Sequence, residues 1–187
     1  MTLKEVIAYV ESNNNPFALR YEESYFIKAE KKGNEKILNL IQAFNRCSKD
    51  TAKVIFATSF GLYQILGVNL YSICELKYSI GEFLCYKDLQ DTAFFTFCKR
   101  RDIDIEKVEN ELRLISEKTK ELERLKTNEL DYFEKVKDYM EVNFINLQNL
   151  IKFIQRYNGA IFPSVNFFNY LYKMVNAYKK LKKEEVK

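Results

Sequence analysis

A mostly α-helical fold is predicted from three observations. Apolar residues recur at helical spacing along most of the chain, only five glycines and two prolines interrupt it, and no stretch alternates apolar and polar residues convincingly enough for a sheet. At 187 residues and 47% hydrophobic, the chain can bury a sizeable core and reads most economically as one domain over 1–187. There is no internal repeat and no low-complexity region.

The first helix carries Leu3, Val6, Ile7 and Val10 on one face and is stopped by Asn13, Asn14, Asn15 and Pro16. At roughly 100° per residue, Glu11 falls at the edge of that apolar stripe and is expected to be half-buried. Residues 17–30 are aromatic-rich and mixed in charge. Within them, 18–26 reads as either a small β-hairpin or an irregular loop after the first helix. A helical pattern follows at Ile37, Leu38, Leu40, Ile41 and Phe44. Then comes Thr58-Ser59-Phe60-Gly61-Leu62-Tyr63-Gln64-Ile65-Leu66-Gly67, a small-residue turn opening into an apolar run with one glutamine.

Leu89 to Phe97 is apolar nearly all round, as a core helix should be. From Asp102 the composition changes. Charges of both signs alternate, and Ile105, Val108, Leu112, Ile115 and Leu122 keep a roughly heptad stripe, so about 102–135 reads as a charged helical insertion. Its apolar stripe is a candidate docking face for a partner helix. Tyr132 to Leu181 returns to aromatic-rich amphipathic helices broken at Asn158-Gly159 and Pro163, and the lysine-rich end is expected to fray.

Absent residues narrow the chemistry. Without histidine, Ser-His-Asp and Cys-His nucleophilic systems are excluded and the commonest zinc ligand is missing, so catalysis would fall to carboxylates, Tyr, Lys or Cys. Cys47, Cys74, Cys85 and Cys98 lack metal-site or redox-motif spacing and sit among apolar neighbours, which predicts buried, reduced thiols. No metal and no cofactor is expected. Lys+Arg 30 against Asp+Glu 26 leaves +4, with the basic residues diluted by acids and no recognition motif, so no nucleic-acid partner is expected. No secretory signal and no run of membrane-spanning length is visible, which predicts cytoplasmic synthesis and no stable membrane insertion. An outside target would then be reached through a separate pore, an injection device or lysis.

Two segments have chemical potential. A glutamate at the rim of an apolar helix face loses solvation, which disfavours its charged form and suits it to donate a proton to a glycosidic oxygen. Glu22 and Glu23 are the nearest candidates for a second carboxylate. Read without chemistry, Glu11 is an ordinary helix-end carboxylate, and Glu22 and Glu23 are surface charges. In the second segment Gly61 allows backbone to approach a ligand closely, and the amide of Gln64 suits N-acetyl and hydroxyl groups of a sugar. Its plainer reading is a turn into a core helix with one satisfied glutamine.

Glu11-Ser12 with Asn15-Pro16, then Ser59-Phe60-Gly61-Leu62-Tyr63-Gln64-Ile65-Leu66-Gly67, then Arg156-Tyr157-Asn158-Gly159, resembles the ordered three-part signature of lysozyme-like muramidases and soluble lytic transglycosylases. Within that superfamily the chain is most similar to phage-type N-acetylmuramidase endolysins, over most of its length except about 102–135. The resemblance implies a lysozyme-like helical domain that acts on bacterial peptidoglycan glycan strands in the cell wall. It makes Glu11 the general acid/base with Glu22 as a candidate second catalytic carboxylate. Ser59, Gly61, Leu62 and Gln64 would line the saccharide cleft, and Tyr157 and Asn158 would close it. Tyr63 and Phe162 are the aromatics expected to stack on sugar faces. Outside the resemblance, Asn158-Gly159 reads as a helix C-cap. The rival from another class is an inactive helical scaffold that keeps the shape and associates through the stripe of residues 105–122.

Overall fold

The computed structural model describes residues 1–124 and 129–185, so positions 125–128 of the expected insertion lie outside the described residues. Those residues form two compact units, one of Ile7–Arg100 and the other of Met1–Val6 with Arg101–Lys187. The architecture is mostly α, with a small antiparallel sheet.

Helix α1 (Leu3–Ser12) buries Leu3, Val6, Ile7 and Ala8. Its end is set by asparagines. Asn13 and Asn14 both adopt left-handed backbone, at φ 53° and 61°, and their N–H groups donate to Tyr9 O and Ala8 O, satisfying carbonyls the helix would otherwise leave open. The Asn15 side chain then accepts from the Phe17 N–H at 2.9 Å, an Asx turn that redirects the chain into strand β1 (Leu19–Tyr21).

The β element expected after the first helix is therefore present, as one strand rather than a self-paired hairpin. By Glu23 the chain is helical again in α2 (Glu23–Ala29). Helices α3 (Glu35–Asn45) and α4 (Lys49–Phe56) pack on each other, and the second is capped by Ser48 Oγ, which accepts from the Thr51 N–H at 3.1 Å.

The glycine-containing motif forms strand β2 (Thr58–Phe60), a tight turn, strand β3 (Ile65–Leu66) and helix α5 (Gly67–Ser72). It is a β-hairpin where the sequence suggested a turn into a helix. The small residues at 57–59 and the β-branched Ile65 favour extended pairing, and the helix starts only at Gly67. Strand β1 pairs with β2 (Leu19 opposite Phe60, Tyr21 opposite Thr58) and β2 pairs with β3, giving the order β1-β2-β3. Helices α6 (Ile80–Cys85), opened by a Ser79/Glu82 capping box, and α7 (Lys87–Arg100) complete the unit. The latter buries Gln90, Ala93, Phe94, Phe97 and Cys98, close to the core helix expected from Leu89 to Phe97.

The other unit is built on α8 (Ile105–Arg124), packed by α9 (Glu129–Val142), α10 (Gln148–Asn158) and α11 (Val165–Glu184), with a 3₁₀ turn at Phe144–Leu147. This corrects the reading of the heptad stripe as a docking face for a partner helix. Val108, Leu112 and Ile115 are fully buried, and α8 packs on α10 and α11 of its own unit. Leu122 is half-buried on the same helix. The charged side chains face out because the apolar stripe is the inner face. The buried Glu111 carboxylate accepts from Asn149 Nδ2 and from the Leu150 N–H, each at 2.6 Å, and so caps the start of α10. Helix α11 continues through the lysine-rich stretch as far as Glu184.

All four cysteines are free thiols, yet only Cys98 is fully buried, Cys47 and Cys74 are half-buried, and Cys85 is exposed, which corrects the expectation of four buried thiols. Burial pushes Cys74 and Cys98 up to about 12, with the neighbouring Cys74 thiol adding to the effect at Cys98. No helix among the described residues is long and apolar enough to cross a membrane.

Two tests follow from this packing. A Cβ at Gly67 would stand 1.9 Å from the Ile55 carbonyl oxygen, a backbone atom that cannot swing away. Gly67→Ala is expected to lower stability by about 3 kcal/mol, seen as an earlier urea midpoint with unchanged slope. Because the thiolate is the reactive form, a thiol reagent at neutral pH should label Cys85 first in native protein and reach Cys74 and Cys98 only after denaturation, as read by peptide mass mapping.

Candidate active site

The candidate site residues divide between the two units. Glu11 and Glu22 belong to Ile7–Arg100 together with the hairpin that carries Ser59, Gly61, Leu62 and Gln64, whereas Tyr157 and Asn158 belong to the other unit.

Glu11 lies in the last turn of α1, half-buried, as the edge of an apolar stripe predicts. Ser12 beside it turns its hydroxyl inward to donate to Ala8 O at 2.9 Å, which reinforces the helix end. Glu22 occupies the cap position of α2. Its Oε1 accepts from Arg20 Nε at 2.6 Å, and its N–H donates to Ala57 O at 2.8 Å. Its carboxylate is thus held by a neighbouring, exposed guanidinium, while Glu23 is exposed at the start of the helix.

The hairpin is tied directly to the segment that follows Glu11. The Ala18 carbonyl accepts from the Gly61 N–H at 2.8 Å and from Gln64 Nε2 at 3.0 Å, and the same Gln64 nitrogen donates to Gly61 O at 3.0 Å. Gln64 makes these bonds from left-handed backbone, at φ 47°. Its amide therefore closes its own turn and joins it to the edge strand. Ser59, Gly61 and Leu62 are buried on this hairpin, and Gln64 is half-buried.

The requirement for glycine at 61 is met inside the protein. At φ 75° a Cβ would lie 2.4 Å from Gln90 Oε1, so the close approach made there is to the Gln90 side chain. Gln90, fully buried on α7, accepts from the Leu62 N–H at 2.7 Å and donates to Pro16 O at 3.1 Å and Leu84 O at 3.2 Å. One residue further on, Asp91 accepts a short hydrogen bond from the Tyr63 hydroxyl. Neither residue was singled out from sequence. The signal was nonetheless present, because Gln90 is a lone amide among apolar positions of a core helix, the same cue that marks Gln64.

The aromatic expectations change accordingly. Tyr63 is 2% exposed, its ring 4.6 Å from that of Phe94, and has no face for a sugar. Phe162 is half-buried in a cluster with Phe144, Phe167 and Phe168. The exposed aromatics in the hairpin's own sheet region are Phe17 and Tyr21, at 59% and 51%. All three residues of the edge strand β1 are exposed.

In the other unit Tyr157 is half-buried, stacked on Phe153 at 5.0 Å, and Asn158 is the exposed last residue of α10. Gly159 adopts the left-handed conformation at φ 82°, and its N–H donates to Gln155 O, so Asn158-Gly159 is the helix C-cap read from sequence. Among the described residues no group of three or more Cys, Asp or Glu is placed to hold a metal ion.

Comparison with known proteins gives one relative. Over 98 residues the chain is 37% identical to the endolysin of Enterobacteria phage PRD1, a match that takes in 51% of this chain and 66% of that protein. The chain thus spans just under two thirds of the length of the relative it matches. No family model and no solved structure matches.

Gln64→Ala removes two side-chain bonds, the one that closes the turn on Gly61 O and the one that joins it to Ala18 O. It is expected to destabilise the protein by about 1–2 kcal/mol in urea titration; a change of only a few tenths would mean the turn is held by its backbone alone.

Proposed function

We propose that this chain, related to a phage endolysin and similar to the lysozyme-like family, is a cell-wall lytic enzyme that cleaves the linkage between N-acetylmuramic acid and N-acetylglucosamine in peptidoglycan. The observation that carries this reading is the bonding of the hairpin to the segment after Glu11. The Ala18 carbonyl accepts from both Gly61 and Gln64, which ties the Gln64 turn to the segment that follows the Glu11 helix. A relative named endolysin points to the same chemistry.

In this reading Glu11 is the general acid. Its carboxyl gives a proton to the glycosidic oxygen as the C–O bond breaks and positive charge develops at the muramyl anomeric carbon. The resulting Glu11 carboxylate then takes a proton from the attacking hydroxyl. That hydroxyl is either water, giving a reducing end, or the muramyl 6-hydroxyl, giving a 1,6-anhydro product. Both balance with one carboxyl acting in turn as acid and base. Half-burial suits the role, because it leaves the carboxyl open to substrate. Glu22 is retained as a second carboxylate, although its pairing with Arg20 leaves it less free for chemistry. Ser59, Gly61, Leu62 and Gln64 are assigned to the saccharide site. Since three of them are buried, their contribution is to shape its wall, with Gln64 the more accessible. Phe17 and Tyr21 offer the exposed rings suited to sugar faces. Tyr157 and Asn158 are carried as substrate-binding residues by the family resemblance alone.

The protein would act on the wall after release or delivery from the cytoplasm, without cofactor. The scaffold alternative loses its main support, since the stripe it needed for self-association is buried.

The test is mass spectrometry of soluble products from Gram-negative peptidoglycan incubated with wild type, Glu11→Gln and Glu22→Gln. Wild type should release reducing or anhydro-muropeptides, and Glu11→Gln should lose at least about 100-fold in rate, the scale set by general acid catalysis. Release by Glu11→Gln at the wild-type rate would remove Glu11 from the mechanism. Wild-type turnover by Glu22→Gln would leave that residue with its Arg20 ion pair only.

A further inference from the structure

We infer that Gln90 is a positioning residue for catalysis: its buried amide holds the segment that follows Glu11 in register with the Gln64 hairpin. The inference rests on the proposed role of Glu11 and adds to it a residue that touches no substrate.

The geometry is specific. Gln90 is completely shielded from solvent, and a buried amide must find partners for its oxygen and both N–H groups. It finds three, on three separate segments. The oxygen takes the Leu62 N–H at the tip of the hairpin, and the nitrogen gives one hydrogen to Pro16 O, in the turn that leads out of the Glu11 helix. The second hydrogen goes to Leu84 O on α6 and ties the brace to the helix layer beneath. The Pro16 ring fixes the backbone φ at that residue, which limits the ways its carbonyl can move. Gly61 makes room, since any larger residue would drive a methyl into the Gln90 oxygen.

The second tie between the same two segments, through the Ala18 carbonyl, runs along the sheet. That of Gln90 comes from α7, outside the sheet, so it ties both segments to a helix as well as to each other. A sheet bond alone lets β1 and the hairpin hinge together away from α7, carrying the wall of the saccharide site with them. With Gln90 in place the hinge is closed. A general acid that depends on sub-ångström placement against a glycosidic oxygen is sensitive to such slack, and a displacement of about 1 Å can cost on the order of 100-fold in rate.

Two variants of the full chain separate this role from a purely structural one. Gln90→Met keeps length and volume and removes every bond. Gln90→Glu, when ionised, keeps the acceptor for Leu62 and loses the donors to Pro16 and Leu84. Turnover on soluble glycan strands and amide hydrogen exchange are measured on each, well below its melting temperature. Gln90→Met should retain native circular dichroism, lose at least about tenfold in kcat with KM within about threefold, and show faster exchange at Leu62, Phe17 and Ala18. Gln90→Glu should keep Leu62 protected while Phe17 and Ala18 open, with kcat reduced.

A folded Gln90→Met with kcat within about twofold of wild type would overturn the inference, as would unchanged exchange at Phe17 and Ala18. Should the Met variant not fold, the Glu variant decides on the same two readouts. An inactive wild type would overturn the functional reading and the catalytic half of this inference together; exchange still decides the brace, so the two failures are distinguishable.

Discussion

Buried polar groups must be paired, and in both units one such group reaches across chain segments that the sequence keeps far apart. Gln90 does so in Ile7–Arg100, with partners at Pro16, Leu62 and Leu84. Glu111 does so in the other unit, where its carboxylate takes Asn149 and the Leu150 N–H. Apolar burial provides most of the free energy but is indifferent to register, since a leucine slides over a leucine at little cost. A buried amide or carboxylate has no such freedom, because a lost partner leaves it at roughly 1–3 kcal/mol penalty. These residues therefore define which arrangement of helices and strands is the native one.

That constraint bears on catalysis in a chain without histidine. In the proposed mechanism the acid is a carboxylate, whose aim is arranged by the surrounding structure with no imidazole to relay a proton. Glu11 sits at the half-buried end of α1. The asparagine-terminated helix end, the Asx turn at Asn15 and the two ties at Pro16 and Ala18 hold the following segment against the hairpin. Gly61 belongs to this framework, and its lack of a side chain makes room for Gln90.

Part of this was legible in the residues alone. The helix face of Leu3, Val6 and Ile7, the stop at Asn13–Pro16, the half-buried rim at Glu11, the core helix near Leu89–Phe97 and the Asn158-Gly159 cap all follow from local periodicity and capping chemistry, and the structure reproduces them. The strand at Leu19–Tyr21 was ambiguous because a three-residue edge strand has no periodicity of its own, and its partner lies at 58–60. The hairpin at 58–66 was masked for the same reason: its two strands are shorter than any pattern that could identify them. Tyr63 was misread as exposed, since an aromatic beside a turn carries no local mark of the Phe94 ring and Asp91 carboxylate that bury it.

The sequence by itself determined the helical class, the helix ends at Asn13–Pro16 and Asn158-Gly159 and the exclusion of histidine chemistry, because each depends on residues a few positions apart or on composition. Only the tertiary structure decided which face of the charged 105–122 helix is interior, that the Gln64 turn is bonded to Ala18, and that Gly61 is reserved for Gln90. Those outcomes depend on which segments meet, and the meeting is selected by the burial of whole helix faces and the pairing of a few polar groups across long stretches of chain, a collective choice that no single window of sequence encodes.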